Sequence, residues 1–372
     1  MSEINIEKVD NSFEFAHSTS ELKDNNFETE PIGFFKDAMI RFVRNKASVV
    51  AFAIISLVVL MSFIGPYMNE YGYKEQDVKL SYMPSRIPIL EKFGIADGTR
   101  VKRVRKTSIE EKYKDSLVEI VKEYKIGKTE MADIRYDVYV KRGVEDKYFW
   151  FGTDSLGRDQ WTRLWRGVRI SLLIAVIAMT VNIFIGVVYG AISGYYGGVV
   201  DLAMQRFIEI LGGIPTIVVM ILFILYYGSG IKAIAFALCL KGWIGMSMMI
   251  RAQFYKYKRM EYVLASRTLG AADMTLIFRH ILPNALGILI TMASLAIPGA
   301  IFSESFLAYL GLGIQAPEPS IGVLLSEGQK VLMEYPHLTI YPGILISILM
   351  ISFNLLGNGL RDAFDPTLRG QE

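Results

Sequence analysis

Long apolar runs alternate with short charged ones along this chain of 372 residues. Between Lys46 and Glu70 lie 23 residues without a charge. As an α-helix that stretch is about 34 Å long, enough to cross a bilayer core. Further runs of this kind occupy residues 170–200, 210–231, 233–250, 285–308 and 338–360, so the pattern predicts six transmembrane helices. The second run carries Gly186, Gly190 and Gly194 at four-residue spacing, on one helix face where a neighbouring helix can approach closely. The third is broken near its start by Gly212, Gly213 and Pro215, and the fourth holds Lys241 near its middle. A Gly/Pro-rich return, Gly311 to Pro319, separates the last two.

The polar stretches have distinct characters. Residues 1–31 are polar, acidic and without apolar periodicity, which predicts a disordered cytoplasmic tail, and they carry no signal-peptide pattern. Gly33 to Lys46 mixes Phe, Met, Ile and Val with Lys and Arg, as an amphipathic helix in the headgroup layer does. Residues 70–150 are rich in Lys, Glu and Tyr and predict a soluble α+β insert. In it we expect a surface helix around Ser108 to Tyr124 and a strand over Arg135 to Val140. Its aromatics Tyr136, Tyr139, Tyr148 and Trp150 are expected to form a small core of its own. The domain division is then tail 1–31, interfacial helix and first span 32–69, insert 70–150, and a five-span core 151–372.

Within that core, Glu261 to Pro283 (EYVLASRTLGAADMTLIFRHILP) is a polar, charge-bearing island. It reads as two short helices, the first ended by Gly270 in left-handed geometry, the second capped by Asp273 and stopped by Pro283. Arg267, Asp273, Arg279 and His280 would be costly in hydrocarbon, so the island returns to water.

Composition narrows the class. The chain is 52% hydrophobic, with a mean hydropathy of +0.33, as for a polytopic membrane protein. A net charge of +3 gives no case for nucleic-acid binding. One cysteine, Cys239, and three scattered histidines argue against disulfides and metal clusters. The nearest approach to a phosphate loop, Gly127-Lys128-Thr129, has Lys122 where a glycine is required. Orientation follows from the short loops. One side carries Lys36, Arg41, Arg44, Lys46, Arg206, the six Lys/Arg of residues 251–279, Arg361 and Arg369, whereas the other carries Lys232 and Lys330. Both termini and the island are therefore expected in the cytoplasm and the insert outside, with Arg158, Arg163, Arg166 and Arg169 outvoted.

Several ordered segments resemble one family. Phe151 to Leu172 (FGTDSLGRDQWTRLWRGVRISL) resembles the GTD-x-LGRD signature of permease subunits from oligopeptide and dipeptide ABC importers. The island resembles the coupling motif of such permeases through Ala265, Ser266, Gly270 and the run Arg279 to Asn284. GYYGGVVD at Gly194 to Asp201, LGLG at Leu310 to Gly313 and NLLGNGLRDAFDPTL at Asn354 to Leu368 follow the same pattern. The chain departs from it at Leu264, where a glutamate is common and Glu261 lies one turn earlier, and at Asn358, where an aspartate is common.

The resemblance implies a six-span type I ABC importer permease fold and a non-catalytic transport subunit of the plasma membrane. It implies a heterodimer with a second permease, two ATPase subunits that bind ATP and Mg and dock from the cytoplasm, and an extracellular lipoprotein that delivers peptide. Glu261, Ala265, Ser266, Gly270, Ala271, Asp273, Arg279 and Pro283 are the coupling residues implied, and alternating access the mechanism. Candidates for the substrate pathway or gate are Lys241, Glu304, Asp154, Arg158 and Asp159. Each has a structural alternative: a salt bridge to the partner permease or snorkelling toward a water-filled gap for Lys241, a pair with an arginine of the partner for Glu304, and a capped turn for the GTDSLGRD residues. Glu209 beside Arg206 is expected as an ion pair and Asn182 as an interhelical hydrogen bond. A nickel or other small-solute permease, an ATP-independent secondary transporter, and a membrane-anchored sensor or enzyme working through residues 70–150 are the rival functions.

Overall fold

The computed structural model describes residues 33–364; the tail 1–31 and the last residues of the C-terminal motif lie outside them. Helix α1 (Phe34–Arg44) turns into α2 (Lys46–Ile64) at Asn45, whose side chain accepts from the Ser48 amide at 3.2 Å. The amphipathic stretch is thus a separate helix, with Met39 and Val43 exposed and Ala38 buried. Then come the insert and α5 (Gln160–Tyr196), α6 (Gly198–Gly213), α7 (Thr216–Tyr227) and α8 (Ile231–Tyr257). The island holds α9 (Glu261–Thr268) and α10 (Asp273–Thr275), and α11 (Leu286–Leu307), α12 (Ile321–Gln329) and α13 (His337–Phe364) complete the chain. Among the described residues five helices are long and apolar enough to cross a membrane, and six if the bent pair α6–α7 counts as one.

Two spans differ from the sequence pattern. The second starts ten residues early, at Gln160, and ends before Gly197 and Gly198, whose φ of 65° and 53° break the helix inside the apolar run. The third is α6 and α7 meeting at 76°, because Pro215 has no N–H to continue α6.

Helix α5 organises the packing. Its Ile170 and Ile174 meet α7 and α8 in one core, and its Leu164, Val168 and Ala175 meet α2, α11, α12 and α13 in another. Against α8 it presents the glycine ridge. A Cβ built on Gly186 would lie 2.6 Å from Met246 Cβ, and one on Gly194 2.6 Å from Phe254 Cβ and 2.8 Å from the Arg251 carbonyl. Only hydrogen at these positions lets the two backbones touch.

The insert is a three-stranded antiparallel sheet in the order β1 (Thr99–Arg105), β3 (Thr129–Asp137), β2 (Leu117–Ile126), with short helices α3 (Thr107–Lys112) and α4 (Val138–Arg142). The helix expected over Ser108 to Tyr124 is therefore six residues of helix followed by a strand. The cause is visible in β2, whose register shifts between Leu117 and Glu119 and again between Ile120 and Lys122. In sequence Leu117, Ile120, Val121 and Tyr124 recur at the spacing of a helix face, and the strand accommodates them through these two register shifts with Ile120 and Val121 exposed. The strand expected over Arg135 to Val140 ends at Asp137, whose carboxylate caps α4 by accepting from the Tyr139 and Val140 amides at 2.7 and 3.2 Å. Gly127 to Thr129 is the β2–β3 turn, with Gly127 at φ 61°. Tyr136 and Tyr139 lie in the insert core with Met83, Ile134 and Phe149, whereas Trp150 packs on Trp161 of α5. The Tyr148 ring instead carries the Arg86 guanidinium.

One ion pair of the insert is pH-sensitive. Burial raises the Asp97 carboxyl, but the Thr99 amide and hydroxyl and the Arg135 guanidinium outweigh it and hold the group below the usual carboxylate range. A depressed folded pKa contributes stability that is present above the unfolded value of about 3.9 and lost as pH falls toward the folded one. We expect β1 and β3 amides to exchange faster at pH 3 than at pH 5 after correction for intrinsic rates, and Asp97→Asn to flatten that difference in hydrogen-exchange mass spectrometry.

Candidate functional site

The island is positioned by a helix stop and a buried face. Gly270 sits at φ 82°, its N–H bonded to the Arg267 carbonyl at 3.0 Å, and the Ala271 N–H reaches back to Ser266 at 3.1 Å. This pair of bonds closes α9 in a Schellman motif, which needs a left-handed residue at the glycine. A Cβ on Gly270 would meet nothing within 4 Å, so substitution there costs backbone strain and not space. Val263, Leu276, Ile277 and Ile281 turn inward onto Tyr195, Met246, Ile250 and Phe254 of α5 and α8.

The opposite face is open and partly apolar. Leu269 is 88% exposed, and Tyr262, Leu264, Met274 and Phe278 are exposed with it. Glu261, Ala265, Arg279 and Pro283 share the exposed side, while Ser266 and Ala271 are half-buried.

Two expectations for the island change. Asp273 does not cap α10: Ala272 is the cap residue and makes no side-chain bond. The Asp273 carboxylate instead accepts from the Tyr195 hydroxyl. Pro283 does not stop the helix. From Asp273 the chain winds through α10, a π turn at Leu276–Ile281 and a 3₁₀ turn at Leu282–Ala285 into α11, a helical path that continues to Leu310, before Gly311 at φ 83° breaks it. The widened turn accommodates the proline ring and its missing donor, so the bend is absorbed instead of ending the helix.

Beside the island, Asp201 of α6 gathers α5 and α8. It accepts from Arg251 Nε and Nη2 at 2.6 Å each, from the Tyr255 hydroxyl at 2.8 Å and from Ser193. Lys258 Nζ donates to the Gly194 carbonyl at 2.6 Å. The sequence reading missed Tyr195, Asp201 and Arg251 as individuals, although GYYGGVVD contains two of them.

At the other end of α5, next to the insert, Asp154, Arg158 and Asp159 are buried. Asp154 accepts from the Leu156 and Arg158 amides at 2.8 and 3.0 Å, from Arg158 Nε at 2.7 Å and from Arg163 Nη1. Arg163 continues to Glu327 of α12 at 2.9 Å. Asp159 caps α5, accepting from the Thr162 amide and the Asn69 amide group at 2.8 Å each. Neither Arg163 nor Glu327 was singled out from sequence, since their partners lie 9 and 164 residues away.

The remaining candidates are dispersed. Lys241 donates to the Ile214 carbonyl at the α6–α7 bend, where a cation at a helix C-terminus is favourable. Glu304 is fully buried, accepting from Ser320 at 2.6 Å and Ser171 at 3.1 Å, and these hydroxyls in turn accept from the first amides of α12. It faces this chain's own helices and carries no arginine. Arg206 and Glu209 form the expected pair at 2.6 Å. The Asn182 carbonyl oxygen has no hydrogen-bond partner and borders a cavity of about 190 Å³ with Gly242, Gly245 and Met292.

Comparison with known proteins completes the description. Residues 186–370 match the binding-protein-dependent transport system inner membrane component model, and residues 33–84 match the N-terminal transmembrane domain of oligopeptide transport permease C. The chain is 36% identical to the oligopeptide transport system permease protein OppC of Bacillus subtilis, over 91% of both chains. It is 47% identical to the dipeptide transport system permease protein DppC of the same organism, over 59% of this chain and 69% of that one. The inward-facing methionine ABC transporter MetNI aligns with a TM-score of 0.44 at 20% identity, over 55% of this chain and 96% of that chain. With two family models and a full-length relative in agreement, this multi-pass chain belongs to the permease subunits of oligopeptide- and dipeptide-type ABC importers.

Proposed function

We propose that this chain moves di- or oligopeptides inward by alternating access, as half of a heterodimer driven by two ATPase subunits seated on residues 261–283. In this reading the island and both termini are cytoplasmic, the insert faces outward, and a binding lipoprotein delivers peptide to it. ATP and Mg are bound and hydrolysed on the ATPase subunits. The observation that carries the proposal is the island itself. It is a charged return bearing exposed Leu269, Met274 and Phe278 on two short helical arms whose other face is packed on α5 and α8. Exposed apolar side chains rimmed by charge are what a soluble partner covers.

The test uses the complete importer with its partner subunits. Leu269→Asp should lower ATPase co-purification about tenfold, the loss of one central apolar contact. Gly270→Val should leave ATPase subunits bound and reduce peptide taken up per ATP. Uptake without ATP would point to a secondary transporter, and ATPase stimulation by nickel but not peptide to a small-solute permease.

A further inference from the structure

Helix α5 has 37 residues, about 55 Å, against a hydrocarbon core of about 30 Å. It therefore emerges on both sides, and each end enters a polar cluster. The outer end carries Asp159, the helix cap, and Arg163, which joins Asp154 of the preceding turn to Glu327 of α12. At the inner end stands Tyr195, a largely buried ring whose hydroxyl donates to Asp273 and accepts from Arg267 Nη2 at 3.2 Å. Arg267 belongs to α9 and Asp273 to α10, so one hydroxyl holds both arms of the island around the Gly270 turn. The Arg267 guanidinium also lies 5.5 Å from the Tyr195 ring centroid. Along its length α5 is keyed to α8 through the glycine ridge, and α8 leads directly into the island.

We propose that Tyr195 is a positioning residue that pins both arms of the island to the inner end of α5. Displacement of the island then reaches the Asp154–Arg163–Glu327 cluster through this single helix. The proposal rests on the coupling role assigned above to residues 261–283. A rigid helix carries a push along its axis, whereas a freely rocking island would dissipate it in the Gly270 turn. The hydroxyl bonded to both arms removes that freedom.

The experiment uses the whole importer in proteoliposomes, its other subunits free of reactive cysteine. An environment-sensitive bimane is attached at Ser155→Cys, an exposed position in the outer turn; native Cys239 is buried. Two quantities are read: peptide taken up per ATP hydrolysed, and the emission change on adding ATP. Tyr195→Phe, which keeps the ring, and Asp273→Asn should each lower uptake per ATP about tenfold and abolish the emission change, with ATPase subunits still bound. Asp273 is exposed, so its variant keeps the test alive if Tyr195→Phe assembles poorly. If assembled Tyr195→Phe and Asp273→Asn importers match the parent while Gly270→Val is uncoupled, the pin is wrong and the coupling role stands. If Gly270→Val also matches the parent, the coupling role fails and the pin with it.

Discussion

Gly190→Leu should prevent this permease from assembling. A Cβ at this position would overlap the Ser247 carbonyl, lie 2.9 Å from Ile250 Cβ and stand 3.0 Å from the Arg251 amide. Two of those three neighbours are backbone, so no rotamer change makes room. Overpacking costs about 1–3 kcal/mol where side chains can yield. Here α5 and α8 must separate, which draws Asp201, on α6 just after α5, away from Arg251 of α8. The measurement is the yield of monodisperse complex and its thermal midpoint. Gly299→Ala is the control, because a Cβ there meets nothing within 4 Å and alanine is the better helix former. A Gly190→Leu complex with parental yield and midpoint would refute the close-packed ridge.

Asp154→Asn should be far more damaging than Glu327→Gln, although both carboxylates serve Arg163. Asp154 and Arg163 have side chains only 6% and 2% exposed. Removing the charge of Asp154 leaves two buried guanidinium groups, those of Arg158 and Arg163, with only the half-exposed Glu327 as counter-charge, and breaking a buried pair costs about 3–5 kcal/mol. Glu327 is 39% exposed, where solvent screens the attraction to roughly 0–1 kcal/mol. The expected result is loss of most assembled Asp154→Asn importer and near-normal yield for Glu327→Gln. Peptide uptake by Glu327→Gln then reports on the Asp154–Arg163–Glu327 cluster without the stability loss. Equal stability of the two variants would show that the cluster is hydrated in the working importer.

Local chemistry made some of this legible in sequence. Gly270 ends α9 because few other residues occupy the left-handed region cheaply, a requirement that spacing alone conveys. The ridge of Gly186, Gly190 and Gly194 is a matter of helical periodicity. Asp273 was harder, since a cap and a partner for Tyr195 use the same carboxylate, and the tyrosine lies 78 residues away. Pro283 misled because a π turn and a 3₁₀ turn together absorb what a proline breaks in an α-helix. In the insert, apolar residues at 117, 120, 121 and 124 give β2 the spacing of a helix face. A lysine in mid-span suggests an ionic partner, a substrate or a water-filled gap, and Lys241 donates instead to a backbone carbonyl freed by the α6–α7 bend.

That bend has a consequence for the chain in isolation. Helix α7 has 12 residues, about 18 Å, well short of a bilayer core of about 30 Å. The turn at Gly212 to Pro215 is exposed, and a Cβ on Gly212 or Gly213 would meet no protein atom within 4 Å. Lipid cannot satisfy irregular backbone, so a second polypeptide or a water-filled cleft must lie against it. If the second permease of the proposed heterodimer covers this turn, the measured melting temperature of this chain should rise with the ratio at which that permease is supplied.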